Sequence, residues 1–491
     1  MNKQRKLLFI EHSIITIGIF VFILMLIQQS HYGLITGGQG SDISFGFQRI
    51  YEIIQQVKHG YYDPYSMHYT FSGVGRIVNG LYPTGPIVWI NAFVIGITHS
   101  WIFGYIFFQL TVFIIGTLGM YSLTNTIINT KETVISAFLL VFTSLFYGFE
   151  AVQVNAFMYS FGMNYSIALF PMIISGLIKT LKNTEKKMPN WELVIGLFLL
   201  ATNHLLGIVI VVLIILMISI SLILLKETSW KILLKKAGIT LLIVGIASSF
   251  VYIPMLQLMI NNDLQQPWNF SMEKYTSSSK YILIALILLG IINCSWFLHI
   301  KNKTVAMLGN IGVLLVLLST KIFPWTNLDD TKLAVIQFPS RFLVFGIGLL
   351  VVAILAMALY IGRFQYLILG IWTILLFSVG FKFWETQQFF IQKNSTNSNN
   401  VYIKTHNADI AYYKAEDISP KLTYKEFSKA VNSSDLSQLV DPTITYKPLI
   451  DYLPVTDNKG YTNNNRKVVN QIDKPKLVYK RNINIHYNKG S

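Results

Sequence analysis

The chain has 491 residues, of which 53% are hydrophobic and only 13% charged, and it carries a formal net charge of +16. Soluble domains average about 25% charged residues, so this composition excludes a wholly soluble protein. The absence of an RNA- or DNA-binding motif sets nucleic acid aside as a partner, and a lone cysteine, Cys294, excludes an internal disulfide or a cysteine zinc site.

Apolar runs fill the chain to about residue 384, and polar sequence follows. This predicts an all-α polytopic membrane body over 1–385 and a soluble tail over 386–491. A bilayer core takes about 20 apolar residues per spanning helix. Lys3, Arg5 and Lys6 precede a first apolar run that reaches Ile27. The run is too long for a signal-peptide core, and the basic residues place the N-terminus in the cytoplasm.

Residues 29–85 then form a long outer loop. Within it, Ile43, Phe47, Ile50, Ile54 and Val57 recur at helical spacing, while Gln48, Arg49, Glu52, Gln55 and Gln56 take much of the rest. That pattern predicts an amphipathic helix lying flat at the membrane interface. Asp42 opens it. An aspartate there suits a helix N-cap and equally suits a base that takes a proton from an acceptor hydroxyl. Gly60, Asp63-Pro64 and Gly73-Val74-Gly75 break the structure before Tyr82-Pro83.

Later apolar segments run over 86–99, 101–124, 133–148, 163–181, 191–225, 233–258, 279–299, 304–322, 342–361 and 364–384. Lysines at 179, 182, 186 and 187, at 226, 231, 235 and 236, and at 301 and 303, with Arg363, mark the junctions. All become cytoplasmic if 86–99 dips in without crossing and 191–225 is a hairpin broken near Asn203-His204. The count is then eleven crossings with an outside tail.

Ionisable side chains within such surroundings tend to mark function. Glu150 reads as a solvated loop charge or a cavity group. His204 reads as a satisfied turn residue or a ligand-binding one. Arg341, after Gln337-Phe338-Pro339-Ser340, reads as a snorkelling arginine or a phosphate ligand. No His/Asp/Glu spacing calls for a metal, and there is no nucleotide-binding motif.

Asp42-x-x-Phe45 with Arg49-Ile50, Gly75 to Tyr82-Pro83, Glu150, the Asn203-His204 break, Gln337 to Phe342, and Asp451-Tyr452-Leu453-Pro454 occur in this order. Together they resemble bacterial YfhO-like membrane glycosyltransferases of the GT-C type, also labelled "6-pyruvoyl-tetrahydropterin synthase-related". The resemblance covers about residues 1–460.

It implies a GT-C-like body and transfer of a sugar from a polyprenyl-phosphate donor to an envelope polymer, such as a teichoic-acid-type acceptor, on the outer face. Asp42 matches the family's first-loop acidic residue and is the expected catalytic base. Arg341, Arg49, Glu150, His204, Gln337 and Tyr82 are expected to hold the donor, its phosphate or the acceptor. A divalent metal near Asp42 is compatible with this, though nothing in the spacing requires one, and the resemblance names no certain cofactor. The family often has histidine after Phe45 where this chain has Gly46, and often a larger outer domain, so the tail reads as a short α+β piece. Its expected features are a capping box at Thr423–Glu426 and strand-like stretches over Val478–Tyr487. A lipid-linked-sugar flippase or a polysaccharide export component is the alternative.

Overall fold

The structure, a computed structural model, describes residues 3–31, 41–70, 78–128, 133–153, 161–183, 185–261, 271–298, 302–329, 331, 333, 336–361, 365–371, 373–378, 380–381 and 429–440. The expected tail elements at 423–426, 451–454 and 478–487 lie outside these. The described residues include the α-helices α1 Lys3–His31, α2 Ser41–Lys58, α3 Val78–Leu81, α4 Pro86–Thr98, α5 Trp101–Ile127, α6 Val134–Gln153, α7 Phe161–Lys182, α8 Trp191–Ala201, α9 Leu205–Leu224, α10 Trp230–Asn261, α11 Lys280–Leu298, α12 Lys303–Leu318 and α13 Arg341–Ile361. No strand occurs among the described residues. Among the described residues, seven helices are long and apolar enough to cross a membrane, within α1, α5, α6, α7, α9, α10 and α13. The other apolar helices are shorter, and the expected count of eleven includes four of them: Trp191–Ala201, Lys280–Cys294, Lys303–Leu318 and Gln365–Ser378.

The chain divides into two compact units, with the boundaries falling inside α5 and α10. Unit 1 comprises residues 1–36, 105–248 and 270–392. Its helices are in register, and side-chain contacts read that register out. Glu11 meets Tyr121 at 2.6 Å and Phe22 stacks on Phe113, so α1 and α5 are antiparallel. Tyr147 donates to the Ile167 carbonyl and Asn164 to that of Ala151, which sets α7 antiparallel to α6. Phe170 packs on Phe345, and Gly312 meets Gly346. A Cβ on either of these glycines would lie under 3.0 Å from the other's carbonyl oxygen, so α12 and α13 approach as closely as small residues allow.

The 191–225 run breaks at Thr202–His204, between α8 and α9. Leu193 sits against Gly176 and Gly196 against Ile173, so α8 runs antiparallel along α7. His204 reaches Ser166, near the start of α7. α9 then returns, so that Glu227 lies 3.4 Å from Lys182 and Thr228 donates to the Leu181 carbonyl. The segment is therefore a hairpin. The cause is local: the Thr202-Asn203-His204 side chains are polar within an otherwise apolar run, and His204 caps the returning helix.

Three lysine-bearing junctions meet at one end of unit 1. Lys179 Nζ lies 2.8 Å from both Glu192 carboxylate oxygens and from Ser122 Oγ, while Ser175 Oγ donates to the same carboxylate. Lys182 donates to Thr304 Oγ1 at the start of α12, and Lys236 to the Thr180 carbonyl. Asn302 donates to Tyr360 Oη. These bonds join α5, α7, α8, α10 and α12, so the network ties the lysine-rich end together.

Unit 2 comprises residues 37–104, 249–269 and 393–491. Phe47, Ile50 and Ile53 of α2 are buried. Phe47 packs on Trp101, whose indole donates to the Leu436 carbonyl at 3.2 Å. The described tail piece thus seats its 3₁₀ turn, Leu436–Leu439, against α2 and Trp101. Helix α2 is buried on more than its apolar side. Its polar column, Gln48, Glu52 and Gln56, is as buried as its apolar one, because a backbone-rich loop over residues 63–70 folds onto it. α4, with 13 residues, is about 20 Å long and packs on α2.

Candidate functional site

The sequence-derived site residues fall into two groups, one in each unit. In unit 1, Glu150, His204, Gln337 and Arg341 gather at the end opposite the lysines. The register places them at one level. Tyr147 touches Ile167, one turn before Glu150. His204 bonds Ser166. Phe345 packs on Phe170, one turn past Arg341.

His204 is the N-cap of α9, with φ −148° and ψ 102°. Its Nδ1 accepts from the Gly207 amide at 3.1 Å and lies 2.9 Å from Ser166 Oγ. Accepting at Nδ1 leaves Nε2 as the donor of the neutral ring. Thus the turn role and a binding role are compatible in one side chain. Arg341 acts electrostatically on this ring.

Arg341 opens α13 from a turn pinned to the Met272–Tyr275 segment: Ser340 donates its amide to the Tyr275 carbonyl at 3.0 Å, and Phe338 packs edge-on against Tyr275. The guanidinium lies 4.5 Å from the centre of the Phe338 ring. Gln337 has φ +56°, in the left-handed region that a β-carbon disfavours and that clusters at functional sites. Trp325 stacks on Phe342 behind the turn.

In unit 2, Asp42 stands in the first turn of α2; its side chain lies outside the described residues. Arg49 is a clamp. Nε donates to Asn79 Oδ1 at 2.9 Å, and Nη2 to the Tyr82 and Pro83 carbonyls and to Thr84 Oγ1. Tyr82 also lies beneath the guanidinium, 5.4 Å from Cζ to ring centre. Burial pushes the Arg49 pKa down to about 10, which leaves it charged at neutral pH. Arg49 and Tyr82 thereby tie α2 to the segment that leads into α4.

Sequence reasoning missed Glu52. Its carboxylate accepts from Gln56 Nε2, the His68 and Tyr69 amides and Thr70 Oγ1, at 2.7–2.9 Å. The i, i+4 column Gln48–Glu52–Gln56 was the available signal, since its acceptors face a loop rich in backbone donors. Among the described residues no group of three His, Cys, Asp or Glu side chains could hold a metal ion.

The expected result of His204→Ala is a loss of about 1 kcal/mol of stability from the missing cap. His204→Asn keeps a capping acceptor and restores that loss, but removes the Nε2 donor. Melting in detergent checks both, and equal melting of all three proteins would remove the capping role.

No known family model and no curated protein matches this chain.

Proposed function

We propose that the chain is a membrane glycosyltransferase, which moves a sugar from a polyprenyl-phosphate donor to an envelope polymer. The observation that carries this reading is the placement of Glu150, His204, Gln337 and Arg341 at one end of the helical unit, away from the lysines. Lysine-rich junctions face the cytoplasm, so these groups face outward on this reading. Transporters place their polar residues near the bilayer midplane. A polar cluster at one face suits chemistry on a lipid-borne substrate whose head stands in the interface.

On this reading the N-terminus is cytoplasmic, the plasma membrane is crossed eleven times, and the tail is outside as a small α+β piece. Asp42 accepts the proton of the attacking hydroxyl, an effect worth about 10²–10⁴ in rate. Arg341 neutralises the departing phosphate, to which a guanidinium presents paired donors. Glu150, His204 and Gln337 hold the sugar or acceptor, and Arg49 and Tyr82 support the first-loop helix that carries Asp42.

The test uses membranes containing the protein, supplied with polyprenyl-phosphate bearing a labelled sugar. Label is expected to enter polymer, and Asp42→Asn to lower that transfer by about a hundredfold. Transfer untouched by Asp42→Asn would reduce the aspartate to a helix cap. Label that changes leaflet without transfer would overturn the enzyme reading in favour of the flippase.

A further inference from the structure

The described tail residues 429–440 form a short piece, yet Ala430, Val431, Leu436, Leu439 and Val440 are all buried. A piece far below about 40 residues does not sustain a core of its own, so these side chains are buried against other parts of unit 2. The 3₁₀ turn Leu436–Leu439 packs on α2. The Leu436 carbonyl accepts from the indole of Trp101 at 3.2 Å, across 335 positions of sequence. Trp101 is itself fully buried and meets Phe47 of α2 edge to face at 4.7 Å. Asp435, whose carboxylate caps the turn through the Ser437 amide, acts electrostatically on Tyr51, one turn past Phe47. The tail turn therefore lies along the Phe47–Tyr51 stretch of α2. Other bonds hold the later part of that helix: Arg49 donates to Asn79, Glu52 accepts from the His68 amide and Gln56 donates to the Ser66 carbonyl.

We infer that the tail turn Leu436–Leu439 and Trp101 together strap down the Asp42-bearing end of α2, which makes Trp101 a positioning residue for sugar transfer. This deepens the reading above and rests on it for the role of Asp42. Asp42 stands before Phe47 on the same helix, about 8 Å along its axis. Helix ends fray where nothing holds them, and a base must be held still to work: a misplacement of about 1 Å can cost about a hundredfold in rate. The strap acts through α2 and touches no reacting atom. Trp101 suits the task because a buried indole fills a large space and still needs one acceptor, and the tail supplies that acceptor. The soluble tail is thus a working part of the first-loop helix, although most of the sequence lies between them.

The test uses the full chain in nanodiscs, with a protease site inserted in the polar stretch 394–400. After cleavage the wild-type tail is expected to stay with the membrane body through size exclusion, and Leu439→Asp, which puts a charge into the buried seat, to release it. Release is expected to speed amide hydrogen exchange at the start of α2 and to lower kcat for labelled-sugar transfer by about ten- to a hundredfold, with the KM for the polyprenyl-phosphate donor unchanged. Trp101→Phe keeps a ring against Phe47 and loses only the N–H, so it should fall between wild type and Leu439→Asp in both exchange and kcat. Cleavage of the wild-type chain needs no variant and stands even if Leu439→Asp folds poorly. A wild-type tail that leaves on cleavage would overturn the strap. So would release by Leu439→Asp that changes neither exchange in α2 nor kcat, or a loss that falls on KM alone. Absence of transfer in the uncut wild type removes the enzyme reading, and retention and exchange then decide the strap on their own.

Discussion

Arg341→Ala is expected to lower sugar transfer by about 10²–10³, as loss of a preorganised charge-stabilising donor does, while leaving the melting temperature unchanged or slightly higher. The stability half of this prediction follows from position. Arg341 is the first residue of α13, where the helix dipole presents its positive end, and a cation there is unfavourable by about 0.3–1 kcal/mol. What the fold supplies is a rigid mount: the Phe338 ring beneath the guanidinium, the Ser340–Tyr275 bond, and the left-handed backbone of Gln337 one turn earlier. The left-handed backbone of Gln337 and the opposed dipole are local costs at the same turn. Arg341→Lys keeps the charge but loses the planar paired donors, so it should recover only part of the activity. The loss should appear chiefly in kcat, because the phosphate acquires its extra charge as it departs. A fall in melting temperature parallel to the loss of transfer would instead make Arg341 a structural residue.

The two groups of site residues were legible to different degrees, for physical reasons. The hairpin break at Asn203-His204 was readable because a 35-residue apolar run is too long for one crossing, and polar side chains within it mark where it ends. The shared end of the lysine junctions followed from charge alone. The level of Glu150 with His204 and Arg341 did not, since register between helices depends on which small residues let backbones approach, as at Gly176 and Gly312. The packing of α2 was not legible for a related reason. A column of Gln48, Glu52 and Gln56 looks the same whether water or a folded loop satisfies it. Only the loop's own need for acceptors distinguishes the two, and Gly, Pro and Asp positions show that a loop is present without showing where it lands. Arg49 shows the same ambiguity. A guanidinium suits a phosphate, and it equally suits the carbonyls of Tyr82 and Pro83, which it holds here.

Glu52→Ala is expected to destabilise unit 2 by on the order of 3–5 kcal/mol, the usual cost of removing one side of a buried charged contact. Four donors converge on the carboxylate, two of them the His68 and Tyr69 amides. Each buried donor left without an acceptor costs about 1–3 kcal/mol, and loop movement that admits water lowers the sum. Glu52→Gln should recover little, because its NH₂ would point at donors already present. The effect should be local. Gln56 holds the other side of the same loop, giving Nε2 to the Ser66 carbonyl and taking the Asp63 amide, so the stretch from Asp63 to Thr70 loosens first. Hydrogen exchange at the His68 and Tyr69 amides is the direct readout, with faster exchange expected there and unchanged exchange in α12 and α13, which belong to unit 1. Protected amides at 68 and 69 in Glu52→Ala would mean that the loop is held from elsewhere and that the carboxylate is dispensable.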